Sequence, residues 1–173
     1  MILCCDDIGY KHRNQLSRLD DMKRGIPNLK LTAFVIANNL PIGFADWYEE
    51  RRAWIELAVH GWDHDYPPEC ERPDKEVRLI GALAVLRPYL PDQYGFRAPG
   101  FQMTASTYPL LRKLGFTWVA HQARIQDLTY RKVRPGKVVN IHVYDLEYRL
   151  PFGEDMRFEW VSETLCAPIG NSV

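Results

Sequence analysis

Short apolar runs alternate along the chain with longer segments in which apolar residues recur every three or four positions. The first pattern predicts buried strands, and the second predicts amphipathic helices. Strands are predicted at residues 1–5, 30–36, 54–59, 94–98, 116–121 and 137–142. Helices are predicted between them at residues 13–24, 43–53, 74–90 and 107–114. This alternation predicts an α/β fold around a mostly parallel sheet.

The segment 74–90 has the clearest helical pattern. Its broad apolar stripe consists of Leu79, Leu83, Leu86, Leu90, Val77, Ile80 and Ala84. Asp74 precedes the stripe and is expected to cap the helix, while Pro88 lies near its end. The breadth of the stripe predicts that this helix packs against the sheet.

Length and composition predict one domain spanning residues 1–173, because 173 residues with 46% apolar content suffice for one well-buried core. Lysine plus arginine and aspartate plus glutamate balance at 22 each, which disfavours nucleic acid or an anionic membrane as partner. No apolar run approaches the roughly 18 residues that span a bilayer, and the N-terminus lacks the pattern of a signal peptide. We expect a cytoplasmic protein with no membrane partner.

The four cysteines, Cys4, Cys5, Cys70 and Cys166, have neither a C-x-x-C spacing nor a regular one. Cys4 and Cys5 fall within the first predicted strand, where a small buried side chain is the expected role. The cysteines are therefore expected to be reduced thiols.

Two adjacent carboxylates, Asp6 and Asp7, follow the first predicted strand in "ILCCDDIGY". The carboxyl ends of parallel strands are where ligand sites gather in α/β folds. Two buried acids side by side are costly unless a positive group lies near them. Taken alone, the dipeptide favours the alternative in which one acid caps the next segment and the other is solvated.

Two histidines, His60 and His64, follow the third predicted strand in "VHGWDH". Two imidazoles and one carboxylate form a three-ligand site with coordination positions open for water, as a hydrolytic zinc or similar divalent centre requires. By itself the spacing slightly favours a pair of surface histidines beside a loop.

Arg97 and His142 end the fourth and the last predicted strands. The guanidinium of Arg97 could hold a carboxylate by two hydrogen bonds, or it could lie at the rim with its head in water. His142 could titrate at the same rim, or it could be a half-buried histidine bonded to a backbone carbonyl. The joint placement of all these groups at one end of consecutive strands is far more specific than any single one.

With the motifs "LCCDDIG", "HGWDH" and "FRAPGF" in place, the sequence resembles the NodB-homology polysaccharide deacetylases. These are metal-dependent carbohydrate esterases and amidases built on a distorted (β/α)-barrel. The motifs match the family's strand ending in Asp-Asp, its His-(Ser/Thr)-x-x-His and its Arg-x-Pro. The resemblance covers roughly residues 1–145, in a chain somewhat shorter than the family's domains generally are.

The resemblance implies a role for each matched residue. Asp6 is expected to be the catalytic base, and Arg97 is expected to orient it. Asp7, His60 and His64 are expected to bind one divalent ion, with zinc favoured.

The sequence departs from the family pattern at several positions. Gly61 replaces the usual Ser or Thr, and Gly100 followed by Phe101 stands where an aromatic followed by glycine is common. The fourth motif, an Asp next to a Trp, has only His121 and Asp127 as imperfect substitutes. The fifth, Leu-x-His, is approximated by "NIH".

The resemblance implies a hydrolase that removes acetyl groups from an N- or O-acetylated carbohydrate. A departing amine needs a proton, and we expect His142 to be the general acid. Two alternatives stay open: an amidase acting on a small C–N substrate and a non-catalytic glycan-binding module. A non-haem iron oxygenase would also use two histidines and a carboxylate, but it offers no role for a second adjacent aspartate or for Arg97.

Overall fold

The computed structural model describes residues 2–9, 16–38, 40–122, 138–142 and 164–168. The strands in these ranges are β1 (Ile2–Ile8), β2 (Leu31–Val35), β3 (Ile55–Val59), β4 (Gly95–Phe96), β5 (Trp118–Gln122), β6 (Val138–His142) and β7 (Thr164–Pro168). The α-helices are α1 (Leu16–Gly25), α2 (Phe44–Glu49), α3 (Lys75–Leu86) and α4 (Thr107–Lys113). Short 3-10 turns lie at Glu69–Glu71, Arg87–Tyr89 and Pro99–Phe101. All six predicted strands and all four predicted helices are present.

The strands form one sheet in the order β6-β1-β2-β3-β4-β5-β7. All neighbours pair in parallel except β7, which runs antiparallel to β5. The outermost strands, β6 and β7, also contact each other, so the sheet curls toward closure. The predicted α/β fold, a distorted (β/α)-barrel, is confirmed.

β7 was not predicted, and its absence from the sequence-based assignment has a local cause. Its five residues, "TLCAP", show no clear apolar alternation and end in a proline, which lacks a backbone N–H for pairing. The strand forms through its partner: Trp118 pairs with Pro168 and Gln122 with Thr164.

The main core lies between the sheet and the helices. Its buried side chains from the helices include Leu16, Leu19, Met22, Leu79, Ala82, Leu86, Leu110 and Leu111. A smaller cluster of Cys4, Phe34, Ala58 and Ala120 comes from alternate strand positions and packs against Trp118. Successive strand residues face opposite sides of a sheet, so this second cluster lines the inner face of the curved sheet. Phe34 is its largest fully buried side chain.

The apolar stripe of α3 is narrower than predicted. Leu79, Ala82 and Leu86 are buried, whereas Val77 and Ile80 are 71% and 48% exposed. Three residues spaced by three and four positions already fill the face toward the sheet, and Val77 lies on the opposite side of the helix. The predicted breadth of the buried face is therefore wrong.

The ends of α3 also differ from the expectation. Asp74 occupies the N-cap position but makes no capping hydrogen bond, and its carboxylate accepts from Arg72 Nε at 3.3 Å instead. The α-helix ends at Leu86 and continues as the 3-10 turn that contains Pro88, a residue without the N–H that a helix needs.

Cys4, Cys5 and Cys70 are buried free thiols, as predicted. In the part of the chain that the structure covers, every helix is too short or too polar to cross a membrane.

Candidate metal centre

A bulge at the carboxyl end of β1 contains the two consecutive acids, Asp6 and Asp7. Cys5 pairs with Ala33, but the next pair joins Ile8 to Val35, so β1 has one residue more than β2 in this interval. Asp7 lies in this interval with φ of +62°, a left-handed conformation that aspartate tolerates better than most residues. In a regular strand Asp6 and Asp7 would point to opposite faces, and the bulge removes that alternation.

Asp6 is held by Arg97, which directly follows β4. Arg97 Nη1 donates to Asp6 Oδ1 at 2.5 Å, and both side chains are buried. The guanidinium carbon lies 3.8 Å from the centroid of the Phe34 ring and 5.2 Å from that of Phe101. This aromatic contact on a planar cation fixes its orientation. The alternative of Arg97 as a rim residue with its head in water is therefore excluded.

His60, the residue after β3, has its tautomer set by a backbone contact. Its Nδ1 lies 2.8 Å from the carbonyl oxygen of Arg97. A carbonyl can only accept, so Nδ1 carries the proton and donates. Nε2 then keeps its lone pair, and it lies 3.4 Å from Asp7 Oδ1. A buried histidine oriented in this way is the usual form of a metal ligand.

His64 completes a group of three. Its Nε2 is 3.6 Å from Asp7 Oδ1, and the three ligand atoms of Asp7, His60 and His64 lie within 4.8 Å of one another. In a tetrahedral zinc site with bonds of about 2.0–2.2 Å, two ligand atoms are about 3.3–3.6 Å apart. The two distances to Asp7 match that spacing. The His64 side chain is 36% exposed, so the group opens toward solvent on its side.

The turn that carries the two histidines requires glycine at position 61. Gly61 has φ of +88°, and a Cβ added there would lie 3.2 Å from Pro99 Cγ. A serine or threonine would be strained in this backbone conformation. The backbone carbonyl of Gly61 accepts from the amide of Ala37 at 3.2 Å. The local geometry of this turn therefore suits glycine at the position where the family pattern has Ser or Thr.

Three charged side chains, Arg78, Asp63 and Glu69, form a cluster at the loop that follows Gly61. Arg78 of α3 contacts the carboxylates of Asp63 and Glu69, with Arg78 Nε donating to Glu69 Oε2 at 3.1 Å. Burial tends to raise the pKa of Asp63, but hydrogen bonds from Arg78 and from the Asp65 amide outweigh it and lower that pKa. Burial raises the pKa of Glu69 despite the opposing effects of Arg78 and the Trp62 amide.

The thiol next to the acids, Cys5, is not part of the ligand group. Burial, together with the adjacent charges of Asp6 and Asp7, raises the pKa of the Cys5 thiol well above its ordinary value. A neutral thiol is a poor metal ligand, because the thiolate is the binding form.

For His142 and His121, the structure gives the position of the backbone through the strand register. His142 ends β6 in register with Asp6, so its backbone lies directly beside the first acid. His121 lies in β5 and pairs with Leu165 of β7. Asp127 falls outside the described residues. The register therefore places the backbone of His142, and not that of His121, next to Asp6.

Solved structures share this architecture. A family 4 acetyl xylan esterase from Clostridium thermocellum, solved with a cobalt ion, is similar with a TM-score of 0.57 and 18% identity, over 82% of this chain and 73% of that one. A family 4 carbohydrate esterase from Streptomyces lividans, in complex with acetate, is similar with a TM-score of 0.59 and 15% identity, over 83% and 78% of the two chains. This chain has the fold of those esterases.

The fold alone does not decide whether the chain is active. A family 4 pseudoenzyme from Bacillus anthracis is also similar, with a TM-score of 0.53 and 13% identity, over 82% of this chain and 54% of its own. No protein-family model and no curated protein matches the chain.

Proposed function

We propose that the protein is a metal-dependent hydrolase that removes acetyl groups from an N- or O-acetylated carbohydrate. The observation that carries this proposal is that two adjacent carboxylates have different surroundings. Asp7 lies 3.4 and 3.6 Å from two imidazole nitrogens, whereas Asp6 is bound by a buried guanidinium. One acid is thus suited to bind a cation and the other to act as a base.

Asp7, His60 and His64 would hold the ion. Two imidazole nitrogens and one carboxylate oxygen at these separations suit zinc, and they leave room for water and substrate. The bound ion would lower the pKa of water and polarise the acetyl carbonyl.

Asp6 would remove the proton from the water that attacks the acetyl carbonyl. The hydrogen bond from Arg97 directs one carboxylate oxygen and prevents the side chain from rotating away. Because Arg97 is itself buried between aromatic rings, its position needs no further adjustment when substrate binds.

The amide of Gly100 would donate to the developing oxyanion. In the turn after Arg97, the amides of Phe101 and Gln102 already donate to Ala98 and Pro99 carbonyls, at 2.9 and 3.3 Å. Gly100 is exposed and has no backbone acceptor among the described residues. His142 would protonate the departing group, since its backbone pairs with Asp6 across β6 and β1.

Acetate release tests the proposal directly. The purified chain, stripped with a chelator and reloaded with zinc, should release acetate from N-acetylated chitooligosaccharides or from acetylated xylan. The matched variants Asp6→Asn and His64→Ala should release far less. A zinc-loaded chain that binds these glycans without releasing acetate would instead indicate a glycan-binding module. Hydrolysis confined to small amides would indicate the amidase alternative.

A further inference from the structure

We infer that Arg78 is a positioning residue for the proposed metal centre, acting through Asp63 and Glu69 on the ligand His64. This inference rests on the proposed function only in taking His64 as a metal ligand. Arg78 lies on α3, outside the strand ends that carry the ligands, and the mechanism above does not use it.

The guanidinium of Arg78 joins the two ends of the loop that carries His64. Asp63 immediately precedes His64, and Glu69 lies five residues after it. Arg78 Nη2 contacts Asp63 Oδ2, and Arg78 Nε donates to Glu69 Oε2 at 3.1 Å. One cation on a helix that packs against the sheet therefore fixes the loop on both sides of the ligand.

The other oxygen of Asp63 restrains the backbone at His64 itself. Asp63 Oδ1 accepts from the amide of Asp65 at 3.1 Å, which closes an Asx turn around the ligand. Arg78 holds the same carboxylate, so the orientation of the turn depends on a contact with α3. His60 needs no such support, because it is buried and its Nδ1 donates to the Arg97 carbonyl.

Burial makes this network sensitive to the loss of its cation. Asp63 and Glu69 are both buried, and the Arg78 side chain is only 13% exposed. Without Arg78, two buried carboxylates would face each other with no guanidinium between them, and the loop would move to hydrate them. His64, the exposed member of the ligand group, would be displaced with the loop. Metal affinity would fall although no ligand had changed.

The test is a double-variant cycle on metal affinity, with Co²⁺ as the probe. The dissociation constant is measured for the wild-type chain, Arg78→Gln, His64→Ala and the combined variant. We expect Arg78→Gln to weaken Co²⁺ binding about 10-fold or more in the wild-type background, the usual scale for outer groups that orient ligands. In the His64→Ala background the same change should have little effect, since the residue through which it acts is gone.

Arg51→Gln is the matched control. Arg51 is similarly placed, with a side chain 15% exposed and two hydrogen bonds of 2.7 Å to Asp20. Arg51→Gln should lower the melting temperature without changing Co²⁺ affinity. If Arg78→Gln does not fold, Asp63→Asn keeps the volume and the acceptor for the Asp65 amide while removing the charge pair with Arg78, and the same cycle applies.

The possible results separate this inference from the proposed function. Equal losses of affinity for Arg78→Gln in both backgrounds, or a loss no larger than that of Arg51→Gln, would overturn the positioning role while leaving the metal site in place. A wild-type chain that binds no Co²⁺ would overturn the proposed function and, with it, this inference. Coupling confined to the background that retains His64 would support it.

Discussion

Replacing Arg97 by methionine would remove the guanidinium that pairs with Asp6 while retaining an apolar side chain against Phe34. Both members of the pair are buried, and Arg97 Nη1 lies 2.5 Å from Asp6 Oδ1. Breaking a buried ion pair by deleting one partner costs about 3–5 kcal/mol of unfolding free energy, because the remaining charge stays in a poorly solvated site. We expect a loss of that size in the metal-free protein.

The melting temperature converts this loss into a measurable shift. For a domain of this length, 1 kcal/mol corresponds to about 2–4 °C, so Arg97→Met should lower the melting temperature by about 6–20 °C. Chelator is present throughout, so that no bound cation replaces the missing charge. Urea denaturation of the same samples gives the free energy independently.

The control is the combined variant Arg97→Met with Asp6→Asn. Asparagine has nearly the shape of aspartate without its charge, so the combined variant should recover part of the stability lost in Arg97→Met alone. A loss below about 1 kcal/mol, the range of exposed pairs, would refute the assignment of a buried pair. Strictly additive losses would refute the coupling between the two residues.

Three further predictions concern the metal site and the reaction. Asp6→Asn should keep a full equivalent of metal but lose acetate release by about 10²-fold or more, the scale of a general base; near-normal turnover would exclude that role. His60→Ala and His64→Ala should each lose metal on dialysis, as measured by elemental analysis, and full retention in both would show that the ligands are wrong. His142→Ala should impair hydrolysis of an N-acetyl sugar much more than that of an activated acetyl ester, whose leaving group needs little protonation. Equal losses on both substrates, or a larger selective loss in His121→Ala, would move the acid role away from His142.

The convergence of the site residues could be predicted because strand ends are visible in the sequence. Asp6, His60, Arg97 and His142 each follow or end an apolar run, and parallel strands bring their carboxyl ends to one edge of the sheet. The register then agrees with this reasoning, since Asp6 pairs with His142. Periodicity and topology together were sufficient to locate these groups.

The local geometry at Asp7 could not be predicted in the same way. A one-residue bulge leaves no signal in the apolar pattern, and an aspartate, unlike a glycine, does not by itself predict a positive φ. The motif predicts that two acids lie at the site, but only the backbone explains how consecutive side chains reach it. The φ of +62° at Asp7 is that explanation.

The support around the ligands was also not apparent from the sequence. Phe34 has the pattern of an ordinary core residue, yet its ring lies on the guanidinium of Arg97. Arg78 has the pattern of a solvated helix residue, but it contacts Asp63 and Glu69 of the loop that precedes its helix. Such contacts depend on how elements pack in three dimensions, and a single sequence carries no periodic signal for them.

The rate of acetate release as a function of metal equivalents tests the central claim most directly. The metal-free chain is titrated with Zn²⁺ at a fixed concentration of an N-acetylated chitooligosaccharide, and His64→Ala is titrated in parallel. The proposed function predicts no release without metal, a rise that saturates at one equivalent, and no comparable rise for His64→Ala. Release that is independent of added metal, or an identical titration curve for His64→Ala, would contradict it.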